Sequence, residues 1–147
     1  MKIYLAGPLF SEAEQDWLAG LKRQLQEHGY DVVWPCELFS QTEISTWGDA
    51  ASRKIMEGCM DALASCKLVV ALLDGTQVDD GTAWEFGFAY AKGIHAVGIR
   101  TDARYCGETL GARVNAMIAG SIPIYLSGEE LIDWLRANMP PEKRRAE

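Results

Sequence analysis

Four carboxylates lie close together in the sequence, at Asp74, Asp79, Asp80 and Glu85. They follow a run of six apolar residues, 68–73, which is typical of a strand buried on both faces. Open α/β sheets place their binding sites at the carboxyl ends of parallel strands. Because clustered carboxylates repel one another, they cost stability unless a ligand or a reaction uses them. We therefore expect an acidic site here, with Glu85 as its first candidate.

Glu85 also fits a structural role. The segment from Thr82 to Glu85 matches a capping box, in which the glutamate bonds back to the backbone N–H of the capping residue. The two roles are compatible, since a carboxylate in a first helical turn lies at the positive end of the helix dipole. That position favours the ionised form, which a nucleophile requires.

Length and composition indicate one globular domain spanning residues 1–147. A net charge of −7 argues against nucleic-acid binding, which needs clustered Lys and Arg side chains. The chain opens with a strand pattern instead of a signal peptide, and no apolar run approaches the length of a membrane span. We therefore expect a cytoplasmic protein that does not bind membranes.

The four cysteines form no recognisable metal-binding pattern. Cys36, Cys59, Cys66 and Cys106 include no C-x-x-C pair, and both histidines are distant from them in sequence. Cys59 and Cys66 fall in an apolar helical pattern that suits small buried side chains. We expect neither a metal nor another cofactor.

Strand and helix signals alternate along the chain. They predict strands at 2–6, 31–34, 68–73, 96–99 and 122–126, and helices at about 11–28, 50–66, 82–92, 111–119 and 127–138. Residues 36–48 show no clear period and suggest a lid or an irregular loop, in which Trp47 either packs or forms a substrate wall, with packing favoured. The alternation predicts an α/β, flavodoxin-like (Rossmann-like) three-layer fold with a five-stranded parallel sheet in the order 2-1-3-4-5.

In this order the first and third strands are neighbours at the switch point of the sheet. The turn from Gly7 to Phe10 and the loop from Asp74 to Gly81 then face each other across a crevice. The crevice has no dinucleotide or Walker phosphate motif, and no basic residue lies between Asp74 and Gly87. Carboxylates in such a crevice could hold sugar hydroxyls, stabilise an oxocarbenium ion or form a glycosyl–enzyme intermediate.

Three segments resemble the nucleoside 2-deoxyribosyltransferase family: residues 2–10, residues 79–89 with the pattern Asp-x-Gly-Thr-x-x-Glu-x-Gly-x-Ala, and residues 115–118. The resemblance runs in order along nearly the whole chain, and its second segment is the most specific. It implies a flavodoxin-like fold in a homo-oligomer, a dimer or an assembly of dimers. It also implies transfer of a 2-deoxyribosyl group between purine and pyrimidine bases through a covalent sugar–enzyme intermediate. The implied partners are deoxynucleosides and free bases.

The resemblance further implies roles for individual residues. Glu85 matches the nucleophilic glutamate, Asp79 the aspartate that holds sugar hydroxyls, and Tyr4 the tyrosine that orients the glutamate. Asn115 and Met117 match a pair lent by a neighbouring subunit, with the asparagine on the 5′-hydroxyl. The expected substrate-binding set also includes Gly7, Leu9, Phe10, Asp74 and Gly81.

One position departs from the family pattern. Many relatives carry an aspartate there that is proposed to handle the proton on the base, and ungapped spacing places Cys59 at this position. Asp61 is two residues away and would point elsewhere on a helix. The proton donor to the leaving base stays open, with Asp74 and a bound water as candidates.

Two other functions compete with base exchange. A related N-glycosidase hydrolyses 2′-deoxynucleoside 5′-monophosphates, but its phosphate site uses serines and an arginine-containing first loop. Here the first loop is the uncharged segment 7–10, and Asn115 replaces one of the serines, so a nucleoside is favoured. The second competitor is a catalytically silent nucleotide-binding module on the same fold, which the set of Tyr4, Asp79 and Glu85 disfavours.

Overall fold

Five parallel strands form the centre of the molecule. The computed structural model describes residues 1–141, so the end of the predicted domain, 142–147, lies outside the described residues. The strands are β1 (Lys2–Ala6), β2 (Asp31–Val33), β3 (Leu68–Leu72), β4 (His95–Ile99) and β5 (Ile124–Tyr125). They form one sheet in the order β2-β1-β3-β4-β5, and every neighbouring pair is parallel. The predicted fold and strand order are confirmed.

Helices cover both faces of this sheet, which makes three layers. They are α1 (Glu12–Glu27), α2 (Gln41–Thr46), α3 (Ala51–Ala64), α4 (Asp80–Lys92), α5 (Ala116–Ala119) and α6 (Gly128–Asn138). Helices α1 and α6 pack on one face, whereas α3, α4 and α5 pack on the other. None of the helices within 1–141 is long and apolar enough to cross a membrane.

Alternation along β1 decides which side chains meet which helices. Ile3 and Leu5 join the apolar cluster beneath α1 and α6, and Tyr4 and Ala6 join the cluster beneath α3 and α4. Each large apolar side chain buried in these clusters stabilises the fold by roughly 1.5–3 kcal/mol. Tyr4 is fully buried, and the period of two directs its ring toward α4.

The segment 36–48 is more regular than expected. It contains α2, which begins with a complete capping box: Glu43 N donates to Ser40 Oγ at 3.2 Å, and Ser40 N donates to Glu43 Oε2 at 2.8 Å. The Ser-x-x-Glu pattern was present in the sequence, but six residues are too few for a helical period to be visible. The expectation of an irregular loop was therefore wrong for this part.

The helix predicted at 111–119 is shorter than expected and begins only at Ala116. Gly111 has a φ of +78°, a left-handed conformation that cannot continue an α-helix, and Ala112 N bonds back to Thr109 O in a turn. Asn115 caps the remaining helix by accepting a hydrogen bond from Met117 N at 2.9 Å. The fifth strand is likewise limited to two residues.

Helix α2 is fixed to α3 by an aromatic contact. The Phe39 ring lies directly against Gly58, where an added Cβ would come within 2.2 Å of Phe39 Cζ. The same ring meets Trp47 edge to face, with centroids 5.2 Å apart, which fits a packing role for Trp47. The absence of a side chain at Gly58 therefore lets the segment before α2 pack closely on α3.

Replacing Gly58 by alanine tests this packing, with Gly20→Ala in α1 as the matched control. Both changes gain helix propensity of up to about 1 kcal/mol, but the new methyl group at position 20 would meet only Arg23 Nη2, at 4.0 Å. We expect Gly20→Ala to raise the free energy of unfolding and Gly58→Ala to lower it by about 1–2 kcal/mol because Phe39 must move. Urea denaturation measures both, and equal stabilisation by the two changes would contradict the packing.

Candidate active site

A cavity of about 450 Å³ lies at the carboxyl ends of β1, β2 and β3. Parallel strands bring these ends to one edge of the sheet, and the neighbouring β1 and β3 mark its switch point. The lining combines the loops after these strands with side chains of α2, α3 and α4. It includes Gly7, Leu9, Phe10, Gln15, Pro35, Cys36, Phe39, Gln41, Ile44, Ile55, Cys59, Asp79, Gly81, Thr82 and Glu85.

The shortest polar contact at the cavity joins β1 to α4. Tyr4 Oη donates a hydrogen bond to Glu85 Oε1 at 2.6 Å, although the two residues are 81 positions apart in sequence. Burial raises the pKa of the Tyr4 hydroxyl far above its ordinary value, and the charge of Glu85 raises it further. Tyr4 is therefore a fixed, neutral donor that holds one oxygen of the Glu85 carboxyl group.

Glu85 itself is half-buried, and burial raises its pKa to about 7. The hydrogen bond from Tyr4 opposes this shift, while the negative charge of Asp79 adds to it. The helix dipole was expected to favour the ionised form of Glu85 because the sequence placed this residue in the first helical turn, and that placement was wrong. Since α4 begins at Asp80, Glu85 lies in the second turn, where the dipole effect has faded.

The start of α4 also excludes the predicted capping box between Thr82 and Glu85. Asp79 is the N-cap residue, and its Oδ2 accepts hydrogen bonds from both Thr82 N and Thr82 Oγ1 at 2.9 Å. The Glu85 carboxyl group is therefore released from capping and bonds to Tyr4 instead. Asp79 Oδ1 keeps its hydrogen-bonding capacity, because no residue within 1–141 donates to it.

The loop after β1 forms the opposite wall. Gly7 has a φ of +152°, and a Cβ there would come within 3.2 Å of both Leu18 and Leu72. Only glycine fits this close approach, which directs Leu9 and Phe10 to the cavity. Phe10 is 84% exposed, so its ring is free to contact a ligand.

Asp74 is not brought to this cavity. Its Oδ1 accepts hydrogen bonds from Thr101 N at 2.7 Å and Asp102 N at 2.9 Å, and its Oδ2 accepts one from the Thr101 hydroxyl group. These bonds tie the loop after β3 to the loop after β4. The geometry therefore gives Asp74 a structural role between two loops.

Asn115 and Met117 also lie elsewhere. The Asn115 side chain caps α5 and donates a hydrogen bond to Glu108, while Met117 is 82% exposed. Met117 lines a separate surface groove of about 400 Å³ together with Phe86 and Tyr90. Within one chain, neither Asn115 nor Met117 lines the cavity that contains Glu85.

The lining residues that come from α2 and from the segment just before it were not predicted from the sequence. Phe39, Gln41 and Ile44 line the cavity, and Phe39, just before α2, packs against Gly58 of α3. The capping box that starts at Ser40 was the available signal in the sequence. Cys59 lines the cavity as well, and burial raises the pKa of its thiol group. No cluster of three potential metal ligands occurs in the described part of the chain.

The arrangement places the protein in a structural class, the doubly wound α/β proteins with a carboxylate site at the switch point of the sheet. Residues 3–117 match the model of a family described as nucleoside 2-deoxyribosyltransferase. The chain belongs to this family, whose members act on N-glycosidic bonds, and the family prediction is confirmed. A comparison with curated proteins gives no match.

Solved structures support the same fold. A conserved protein from Enterococcus faecalis V583 is 31% identical, covers 94% of this chain and 98% of its own, and superposes with a TM-score of 0.80. The 2-deoxyribosyltransferase from Bacillus psychrosaccharolyticus is 21% identical, with coverage of 96% and 97% and a TM-score of 0.79. A CMP N-glycosidase from Clostridium botulinum is 19% identical, with coverage of 92% and 98% and a TM-score of 0.55.

The pKa of Glu85 predicts how its replacement changes stability with pH. Since folding raises this pKa from 4.5 to about 7, the folded state loses up to about 3 kcal/mol as pH rises from 4.5 to 7. Above pH 7 the loss is complete, and below pH 4.5 it is absent. Glu85→Gln removes the titration and keeps an acceptor for Tyr4, so its stability relative to wild type should be about 2 kcal/mol higher at pH 8 than at pH 5.

Urea denaturation of both proteins at the two pH values measures this difference. Comparing the two pH values cancels the cost of placing an amide in the pocket, because this cost does not depend on pH. A relative stability that is the same at pH 5 and pH 8 would show that the Glu85 pKa is not raised.

Proposed function

We propose that the protein is a nucleoside 2-deoxyribosyltransferase that exchanges the base of 2′-deoxyribonucleosides, with Glu85 as the nucleophile. The observation that carries this proposal is the hydrogen bond of 2.6 Å from Tyr4 Oη to Glu85 Oε1 at a cavity that Asp79 also lines. Family membership supports the type of bond that is broken. The geometry supports the choice of residues.

In the proposed first step, the ionised Glu85 carboxylate attacks the anomeric carbon, a carbon–oxygen bond forms, and the bond to the departing base breaks. Tyr4 holds Oε1, so Oε2 is the oxygen available for attack. Burial deprives this carboxylate of water, which strengthens its attraction to the positive charge that develops on the sugar. Asp79 Oδ1 would accept a hydrogen bond from a sugar hydroxyl group.

In the second step, a different base attacks the same carbon from the opposite side and releases the Glu85 carboxylate, and the N–H proton that the base loses passes to water. Two displacements at one carbon restore its configuration. The departing base needs a proton, and the half-buried Cys59 thiol is a poor donor because its pKa is raised. Since the Asp74 carboxylate bonds to the loop after β4, we assign this proton transfer to a water molecule.

The charge of the cavity favours nucleosides over nucleotides. Its lining contains Asp79 and Glu85 but no Lys or Arg side chain. A phosphate group there would meet two acids without a compensating cation, which is unfavourable in a partly desolvated site. Hydroxyl groups of a sugar are suitable ligands for the same carboxylates.

We also propose that the active unit is a homo-oligomer, at least a dimer, in which Asn115 and Met117 complete the cavity of a neighbouring subunit. The exposed groove beside Met117 supports this arrangement, because Tyr90 there is 73% exposed and the nearby Trp84 is 55% exposed. Apolar surface of this kind is characteristic of protein interfaces. A second copy of the chain is the partner that the proposed shared site requires.

Incubation with deoxyinosine and free cytosine tests the reaction. We expect deoxycytidine with retained configuration and ping-pong kinetics, measured by chromatography and NMR. Glu85→Gln should lower the transfer rate at least about a thousandfold, because an amide cannot replace a carboxylate nucleophile. Without cytosine, mass spectrometry should find a deoxyribosyl adduct on the wild-type peptide that contains Glu85.

Three outcomes would contradict the proposal. Inverted product would exclude a double displacement. Release of free deoxyribose that does not decline as cytosine is added would identify a hydrolase. A tenth of the activity remaining in Glu85→Gln would remove the nucleophilic role from Glu85.

Mixing two inactive variants tests the shared site. Glu85→Ala removes the nucleophile from one subunit, and Asn115→Ala removes the lent side chain from another. If the site is shared, subunit exchange places an intact Glu85 and an intact Asn115 at some interfaces, so part of the wild-type activity should return. An inactive mixture, after exchange has been verified with tagged subunits, would mean that each site is built from one chain.

A further inference from the structure

A second cavity, of about 190 Å³, lies between the loop after β3 and the segment that precedes α5. It shares no lining residue with the cavity that contains Glu85. Two cationic side chains line it, Arg100 and Arg113, together with the polar side chains of Thr76, Gln77 and Asn115. No acidic residue belongs to this lining, so the two cavities have opposite charge character.

Arg100 is a buried cation, with only 1% of its surface exposed. Its Nη1 donates to Leu73 O, and its Nη2 lies 2.9 Å from Gly75 O, 3.3 Å from Arg104 O and 3.6 Å from Cys106 Sγ. None of these acceptors is a carboxylate. The Nε–H group has no acceptor at all among residues 1–141.

Arg113 is also without a carboxylate partner in the described part of the chain. Its Nη1 contacts Asp102 O at 3.5 Å, and its guanidinium group lies over the ring of Tyr105, 5.5 Å from the ring centroid. A guanidinium group has five N–H donors, and these contacts use few of them. Arg113 therefore retains donors for a ligand in the cavity that it lines.

The acids near this cavity are committed to other groups. The Asp102 carboxylate pairs with the Arg104 side chain and accepts a hydrogen bond from Gly75 N at 3.2 Å. Asp74 binds the loop after β4, and Glu108 binds Asn115 and the first amide of α5. Burying a guanidinium group without a bonded anion is costly, and a donor left without an acceptor adds to that cost.

We propose that this cavity binds a phosphate-class oxyanion, held by the free donors of Arg113 and attracted by the positive charge of Arg100, which has no carboxylate partner among residues 1–141. Guanidinium groups form strong, directional hydrogen bonds with such oxygens. A water molecule takes about 30 Å³ of liquid volume, so a cavity of about 190 Å³ has room for one tetrahedral oxyanion and some water. The hydroxyl group of Thr76 and the amide group of Gln77 supply further donors.

A purely structural role for Arg100 explains only part of this arrangement. The bonds from Nη1 and Nη2 pin the loops after β3 and β4 together. Their acceptors are carbonyl oxygens, which do not neutralise the charge of Arg100, and they do not account for a second arginine at the same cavity. Within one chain, the proposed site is separate from the cavity of Glu85, because the two cavities share no lining residue.

NMR titration of ¹⁵N-labelled protein with inorganic phosphate, at constant ionic strength, tests the site directly. We expect a saturable shift of the Arg100 Nε–H signal and of the Gln77 backbone amide, with one phosphate per chain. Arg113→Gln should weaken binding at least tenfold, and Arg53→Gln, which removes the same charge from an exposed position on α3, should change it less than twofold. Arg113 is chosen because replacement of the buried Arg100 would also release the loops that it pins.

A parallel titration with 2′-deoxycytidine 5′-monophosphate, with deoxycytidine as its control, identifies the source of the oxyanion. A shift with phosphate alone supports a site for free phosphate, and a shift only with the monophosphate supports a site for a phosphomonoester. An Arg100 signal that moves with neither ligand, or equal affinity in Arg113→Gln and wild type, would overturn the proposal. Glu85→Gln should bind phosphate like wild type, which separates this site from the proposed transfer reaction.

Discussion

The site depends on the burial of one carboxyl group between β1 and α4. Removal from water raises the pKa of Glu85 to about 7, and the hydrogen bond from Tyr4 keeps the shift from being larger. An ionised Glu85 therefore opposes folding, so the surrounding core must supply the compensating stability. The fully buried residues of β3 and the two apolar clusters beside the sheet provide it.

Two cavities of opposite charge character lie near the carboxyl ends of the strands. The cavity of Glu85 is lined by acids and suits hydroxyl groups, whereas the smaller cavity is lined by Arg100 and Arg113 and suits an anion. The loop after β3 supplies residues to both, since Gln77 faces the small cavity and Asp79 faces the large one. Asp74 ties this loop to the residues that follow β4 by accepting hydrogen bonds from Thr101 N and Asp102 N.

Local patterns explain the parts of the fold that were predicted correctly. The apolar run at 68–73 depends only on neighbouring residues and identifies a buried strand wherever it occurs. The capping box at Ser11 sets the start of α1 in the same way. At the start of α4, the predicted capping box at Thr82 did not form, because Asp79 Oδ2 bonds to both the backbone and the hydroxyl group of Thr82 and caps the helix instead.

The sequence by itself determined the family, the strand order and the candidates Tyr4, Asp79 and Glu85, because alternating apolar patterns and short motifs are local properties. The tertiary structure alone decided that Tyr4 bonds to Glu85 across 81 positions, that Asp74 faces a different loop, and that α2 contributes to the cavity. It also decided the raised pKa of Glu85 and the burial of Arg100. Both depend on desolvation, which is set by distant segments packed around a group and not by its neighbours in sequence.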